Sequence, residues 1–174
     1  MMVKYLDKTF AVICIFSVYR GTASGQLWLG PLLVTLIVIF KFFSKSEFKL
    51  IFKKAVFVTI IGAIVETLMI TLGVYTPILE TRLFLPWPII PLWIIVLWLN
   101  FGLIIDYFAM VVRYKYYISG IFAFIFANLK FHNAQNTGIL TLNMGLLSNL
   151  ILGIAWMVVI MIILKYLKRL KISN

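Results

Sequence analysis

One cysteine, Cys14, and one histidine, His132, are all the chain has of the two side chains that build most zinc centres. That excludes an intrachain disulfide and a cysteine cluster, and one histidine among amides is no zinc constellation. No glycine-rich phosphate loop, Gly-x-Ser-x-Gly elbow or His-Glu-x-x-His helix is present, so the recognised nucleotide and hydrolase chemistries lose their usual carriers. Neither a metal nor a cofactor is expected. Charge is also sparse, with 16 Lys+Arg and 5 Asp+Glu in 174 residues, while 64% of the residues are hydrophobic and the mean hydropathy is +1.10. A water-soluble domain is typically about 45–50% apolar, and folding in water would leave much of this surface uncovered.

What the sequence does have is a repeat of apolar run and basic cluster. The runs cover about Thr9–Ser24, Leu27–Phe43, Ala55–Tyr75, Ile89–Val112, Tyr116–Leu129 and Gly145–Leu164. Each approaches the roughly 20 residues that cross a bilayer at about 1.5 Å per residue. The first and fifth are short for a full crossing. The opening, Lys4 and Lys8 before an apolar run and a small-residue stretch, has the outline of a cleaved signal peptide. A second apolar run begins at once at Leu27, as a helical hairpin requires. The fold expected is all-α: a polytopic transmembrane helical bundle of six spans, one integral membrane domain over residues 1–174.

Charge orients the bundle. With the N-terminus inside, the cytoplasmic side holds Lys4, Lys8, Lys41, Lys45, Lys49, Lys53, Lys54, Arg113, Lys115, Lys165, Lys168, Arg169 and Lys171, and the other side only Arg20, Arg82 and Lys130. This thirteen-to-three split obeys the positive-inside rule for an N-in/C-in protein, and dropping either short span would invert part of it. The net charge of +11 therefore reads as topology and lipid-phosphate contact rather than a nucleic-acid footprint, which needs basic residues grouped on one solvated face. The partner implied is the lipid bilayer, with a membrane-protein partner or a second copy left open. Thr76–Pro88, with Pro77, Pro86 and Pro88, reads as a stiff outer connector, and Trp87 and Trp93 suit the interfacial aromatic belt. Phe131–Asn143, the sizeable polar stretch, reads as an outer loop that leaves His132 solvated.

Glu66 stands out, because an ionisable group near mid-span costs about 2.5–3.5 kcal/mol or more unless it faces protein or water. Thr59, Gly62, Glu66 and Gly73 share one helical face of small and polar residues, so Glu66 points into the bundle. It is a candidate proton or cation site, or a catalytic carboxylate kept neutral by burial; with equal weight it is a neutral acid that bonds two helices. Asn100 falls at a similar depth on the fourth run, with Trp93 and Tyr107 seven residues either side, which allows a Glu66–Asn100 contact. Asp106 shares another face with Trp98 and Gly102, two turns from Arg113, and is the second catalytic candidate, more often an interface acid paired with a base. Glu66, Trp93, Trp98, Asn100 and Tyr107 are the expected lining of a substrate site or cavity. Gly62, Gly73, Gly145, Asn149 and Gly153 are expected to pack helices, as are Ser119, Ala123 and Ala127. Cys14 has only a packing role.

The segments Gly62-Ala63-Ile64-Val65-Glu66 with Gly73, and Pro91-Leu92-Trp93-Ile94-Ile95-Val96-Leu97-Trp98-Leu99-Asn100-Phe101, resemble an uncharacterised bacterial inner-membrane family catalogued as domain of unknown function 2878. The likeness lies in a glycine, an intramembrane acid and a later glycine, followed by Pro-x-Trp, Leu-Trp and Phe. Glu stands where the family usually has Asp, and Ala127-Asn128 where it has Gly-Pro. The resemblance implies a multi-pass protein of the bacterial inner membrane and places Glu66, Trp93 and Trp98 in the distinctive part; it implies no activity.

Three functions fit. The first is a small membrane protein that handles a lipid or other hydrophobic compound, as an enzyme or accessory factor. The second is a proton- or cation-coupled transporter using Glu66 and Asp106 as relays, although the internal repeat and paired interrupted helices common in such folds are missing. The third is a structural subunit of a membrane complex, with Glu66 and Asn149 as interhelical glue.

Overall fold

A computed structural model describes residues 3–44, 47–78, 90–111 and 115–172. Lys45, Arg82, Pro86, Trp87, Pro88 and Arg113 lie outside the described residues, as do Ile89 and Val112 at the ends of the expected fourth run. Among the described residues the fold is all-α apart from one two-stranded ribbon: α1 (Val3–Ala23), α2 (Leu29–Ser44), α3 (Phe48–Thr71), β1 (Tyr75–Pro77), α4 (Leu92–Leu103), α5 (Ile105–Val111), α6 (Tyr116–Asn136), β2 (Leu140–Leu142) and α7 (Leu146–Ile172). Among the described residues, one helix stretch, Leu146–Lys168, is long and apolar enough to cross a membrane by length and composition. Leu29–Phe43 and Leu92–Leu103 are shorter apolar helices.

The chain divides into two compact units, one of Met1–Thr67 with Pro77–Ile105 and one of Leu68–Thr76 with Asp106–Asn174. In the first, α1 packs on α2 and on α4. The turn after α1 is closed by the Gln26 amide on the Gly21 carbonyl at 2.7 Å. The two helices then approach so closely that a methyl at Gly30 would meet Val18 Cγ2 at 2.7 Å. α3 meets α4 at two places where glycine supplies the room: Gly62 lies under the Trp98 indole, and a methyl on Gly102 would stand 2.6 Å from Ala55 Cα.

α3 starts seven residues earlier than the apolar run and takes in Lys49, Lys53 and Lys54, since lysine is a good helix former and nothing there breaks the backbone. It ends at Thr71, short of the expected Tyr75. The cause is Gly73, whose φ of +68° reverses the chain while its amide bonds to Ile70 and that of Val74 to Met69, the paired closure that stops a helix at a glycine. The packing role expected of Gly73 is thus corrected: it terminates α3, and a methyl there would meet nothing within 4 Å.

The expected single helix over residues 89–112 is two. α4 begins directly after Pro91, which sits at the N-cap with φ −57° and ψ 144°, and it ends at Ile104, whose amide bonds back to Phe101 and Gly102. α5 then starts afresh with Asp106 in its first turn, where a carboxylate suits the partial positive charge of a helix N-terminus.

In the second unit α6 packs along α7. Gly120 fits against Met157 and Met161, and Gly153 against Phe124 and Asn128. The outer loop expected over Phe131–Asn143 is corrected here. α6 continues through the polar stretch to Asn136, because neither glycine nor proline occurs before Gly138 and polar side chains do not by themselves stop a helix. Its inner stripe, Ser119, Ala123 and Ala127, runs on through Phe131 and Ala134, all buried, while His132, Asn133, Gln135 and Asn136 face outward. β2 follows and pairs with β1, so part of both expected loops is ribbon. Asn143 Nδ2 donates to the Gly73 carbonyl at 2.8 Å and Ser148 Oγ to the Val74 carbonyl at 2.6 Å. Gly145 is an exposed turn residue before α7 with φ +55° and open space where a methyl would go; that corrects its expected place on the packing face.

Candidate functional site

Helix α3 turns apolar side chains outward and its acid inward. Ile60, Ile64 and Leu68 are 54%, 55% and 51% exposed, whereas Glu66 is fully buried. The spacing explains the contrast, since Gly62 and Glu66 are one turn apart on one face and Ile60, Ile64 and Leu68 share another. Because Gly62 has no side chain, the Trp98 indole of α4 can lie flat on α3. That brings Trp98 Nε1 to 3.3 Å from Glu66 Oε1, where it donates a hydrogen bond. Trp98 is itself 1% exposed and meets Phe101 edge-on at 6.2 Å between ring centres. A carboxyl removed from water in this way is tolerated only when hydrogen bonds, or a retained proton, offset its lost solvation.

Two more aromatic residues of the first unit belong to this group. Tyr19 of α1 lies 5.9 Å from Trp93 of α4 between ring centres, at a 55° tilt, and is near the Glu66 carboxyl. Tyr19 Oη and Trp93 Nε1 are both buried with no hydrogen-bond partner among the described residues. Asn100 is fully buried on α4. Of the expected lining, Glu66, Trp93, Trp98 and Asn100 therefore all lie buried in one unit, and Tyr19 joins them, which sequence reading missed. The signal available was the position of Tyr19 at the far end of the first run, a polar-tipped aromatic one residue before Arg20.

Tyr107 is corrected. The break at Ile104 cuts the seven-residue period that linked it to Trp93 and Asn100, and Tyr107 lies in α5, in the second unit, 38% exposed. Asp106 is in the same short helix and half-buried. The face of α4 turned toward α3 is that of Trp98 and Gly102.

The second unit has a polar group of its own. Lys130, expected in an outer loop, is on α6 and only 5% exposed. Its Nζ lies 4.2 Å from the centre of the Trp156 ring and 4.3 Å from that of Phe131, a desolvated cation on two π faces. Phe131 in turn meets Tyr75 at 5.2 Å and Trp156 edge-on at 6.3 Å. The overlooked signal is the small-residue stripe Ala123, Ala127 and Ala134, which carries the buried face of α6 past Lys130. Asn149 is buried on α7, and its Oδ1 has no hydrogen-bond partner among the described residues. Among the described residues no group of three or more His, Cys, Asp or Glu side chains is placed to hold a metal ion.

A family model described as Protein of unknown function (DUF2878) matches residues 9–162 of the chain. No curated protein and no solved structure matches it.

Proposed function

The chain belongs to the DUF2878 family, whose description names no activity, and from the Glu66 site we propose that it is a small multi-pass membrane protein that holds and acts on a lipid or other hydrophobic compound. The observation that carries this reading is the inversion on α3: isoleucine and leucine outward, a carboxyl inward against tryptophan. In water that arrangement would be unstable on both counts, since a protein gains by burying apolar surface and by solvating an acid. In hydrocarbon both signs reverse, and polar side chains turn inward toward one another.

The same inversion supports the placement in a bilayer. On α6, Ile121, Phe122, Ile125, Phe126 and Leu129 are exposed while Ser119 is fully buried, and on α7 Ile154, Val158 and Ile162 are exposed while Ser148 is fully buried. Together with the basic clusters, this favours six crossings with both ends inside; the bacterial inner membrane is part of the same proposal and rests on the family resemblance alone. A carboxyl surrounded by tryptophan and tyrosine, approached through apolar helices, suits a substrate that arrives through the lipid. There the Glu66 carboxyl, already bonded by Trp98, is the polar group able to hydrogen-bond to the polar end of that substrate.

The test is to purify the full chain and its Glu66→Gln variant from membranes and identify bound hydrophobic compounds by mass spectrometry. A compound retained by the wild-type chain and depleted about tenfold or more in an equally monodisperse variant is expected, a loss of about 1.4 kcal/mol in affinity. Equal retention by both chains would remove Glu66 as the functional centre.

A further inference from the structure

Glu66 is bonded by Trp98, but Tyr19 Oη and Trp93 Nε1 pose a separate question. Tyr19 is 9% exposed and Trp93 3%. Their rings meet at a tilt from α1 and α4, and each polar atom is buried with no hydrogen-bond partner among the described residues. Phenylalanine at either position would supply apolar bulk without a polar atom to desolvate, so packing alone does not account for tyrosine and tryptophan here.

The chemistry of the two atoms limits what can satisfy them. An indole N–H donates and cannot accept, whereas a phenol can do either. The partner must therefore offer an acceptor oxygen. A cation is unsuited, because it would meet the positive end of the N–H dipole. An anion is unsuited as well: Tyr19, Glu66, Trp93 and Trp98 include an acid and no base to neutralise it.

We propose that Tyr19 Oη and Trp93 Nε1 together bind the uncharged oxygen, carbonyl or hydroxyl, of an otherwise apolar molecule. This rests on the reading of Glu66 as a site for hydrophobic compounds and deepens it. The substrate class becomes a neutral ketone, ester or alcohol with an apolar body, anchored by α1 and α4, with Glu66 on α3 left to act on it.

The experiment uses the full chain in maltoside detergent and follows thermal unfolding with 2-dodecanone, n-dodecane or dodecylammonium as probe. The ketone is expected to raise the unfolding midpoint by about 3 °C or more above the effect of the alkane, and dodecylammonium is not. In Trp93→Phe and Tyr19→Phe the ketone increment should fall to the alkane's, while the probe-free midpoint stays at or above that of the wild type, because an unsatisfied polar atom has been removed. Several outcomes overturn the proposal: no ketone increment in the wild type, an equal one from the ammonium, an undiminished one in Trp93→Phe, or a lowered probe-free midpoint in both variants, which would mean that a buried water serves these atoms. The Glu66→Gln variant separates the two claims. If it keeps the ketone increment but retains its native compound, the reading of Glu66 fails and the anchor stands; if Trp93→Phe alone behaves as wild type, the anchor fails and Glu66 stands.

Discussion

The indole of Trp98 occupies the space that a side chain at Gly62 would need. Gly62→Ala forces the new methyl into a ring fixed by its own burial, and inserting bulk into a packed interior typically costs about 1–3 kcal/mol. A lowered unfolding midpoint is expected, with a red-shifted tryptophan emission as Trp98 moves off α3. Gly102→Ala should be at least as damaging, because its methyl meets the Ala55 backbone rather than a side chain. An unchanged midpoint in both variants would mean that α3 and α4 do not approach as described.

Glutamine at residue 66 keeps an oxygen that can accept from Trp98 Nε1; alanine does not. Glu66→Gln should therefore stay within about 1 kcal/mol of the wild type, while Glu66→Ala should lose about 1–3 kcal/mol through a buried indole N–H left unsatisfied. Denaturant titration of the two variants checks the order. If both are equally stable, the bond between Trp98 and Glu66 contributes nothing to the fold.

Lys130 and Trp156 are expected to be energetically coupled. A desolvated cation over a tryptophan face is worth about 2 kcal/mol or more, and an exposed one about 0.5–1 kcal/mol. In a double-mutant cycle with Lys130→Met and Trp156→Leu, the coupling term should fall in or above that lower range. Strict additivity would show that the ammonium gains nothing from the ring.

Ser148 ties the start of α7 to Val74, the residue before β1: its hydroxyl donates to the Val74 carbonyl and accepts from the Met144 amide at 3.0 Å. Ser148→Ala removes both bonds from a buried position and should cost about 1–3 kcal/mol. Asn143 makes its bonds to Gly73 and Thr76 in an exposed position, so Asn143→Ala should cost less, about 0.5–1.5 kcal/mol. Thermal melts of the two variants give the comparison, and the reverse order would contradict the ribbon geometry.

The proposed six crossings with an inside N-terminus would place the turn at Gly25 outside and Lys115 inside. Alkaline phosphatase fused after Gly25 should be active, and fused after Lys115 inactive. The opposite pattern would discard the span count.

Much of the helical content was legible because it depends on local pattern. The inward face of Glu66 followed from its four-residue spacing to Gly62, and both residues lie on that face. Local pattern misleads where a polar composition suggests a loop. Lys130 to Asn136 continue α6, since outward-facing amides are compatible with a helix whose small residues face in. Gly73 and Gly145 mislead in the same way, because a glycine in helical register looks the same whether it makes room for a neighbour or takes a positive φ at a turn.

Three features follow from residue order alone: the alternation of apolar runs with basic clusters, the all-α fold, and the direction in which Glu66 faces. These depend on composition and on periods of three or four residues, which one segment carries alone. The bond from Trp98 to Glu66, the meeting of Tyr19 with Trp93 and the place of Lys130 against Phe131 and Trp156 come from the folded arrangement. Those partnerships depend on where separate helices cross, and the crossing points are set by close approaches such as Gly62 under Trp98 and Gly102 on Ala55, which no single segment encodes.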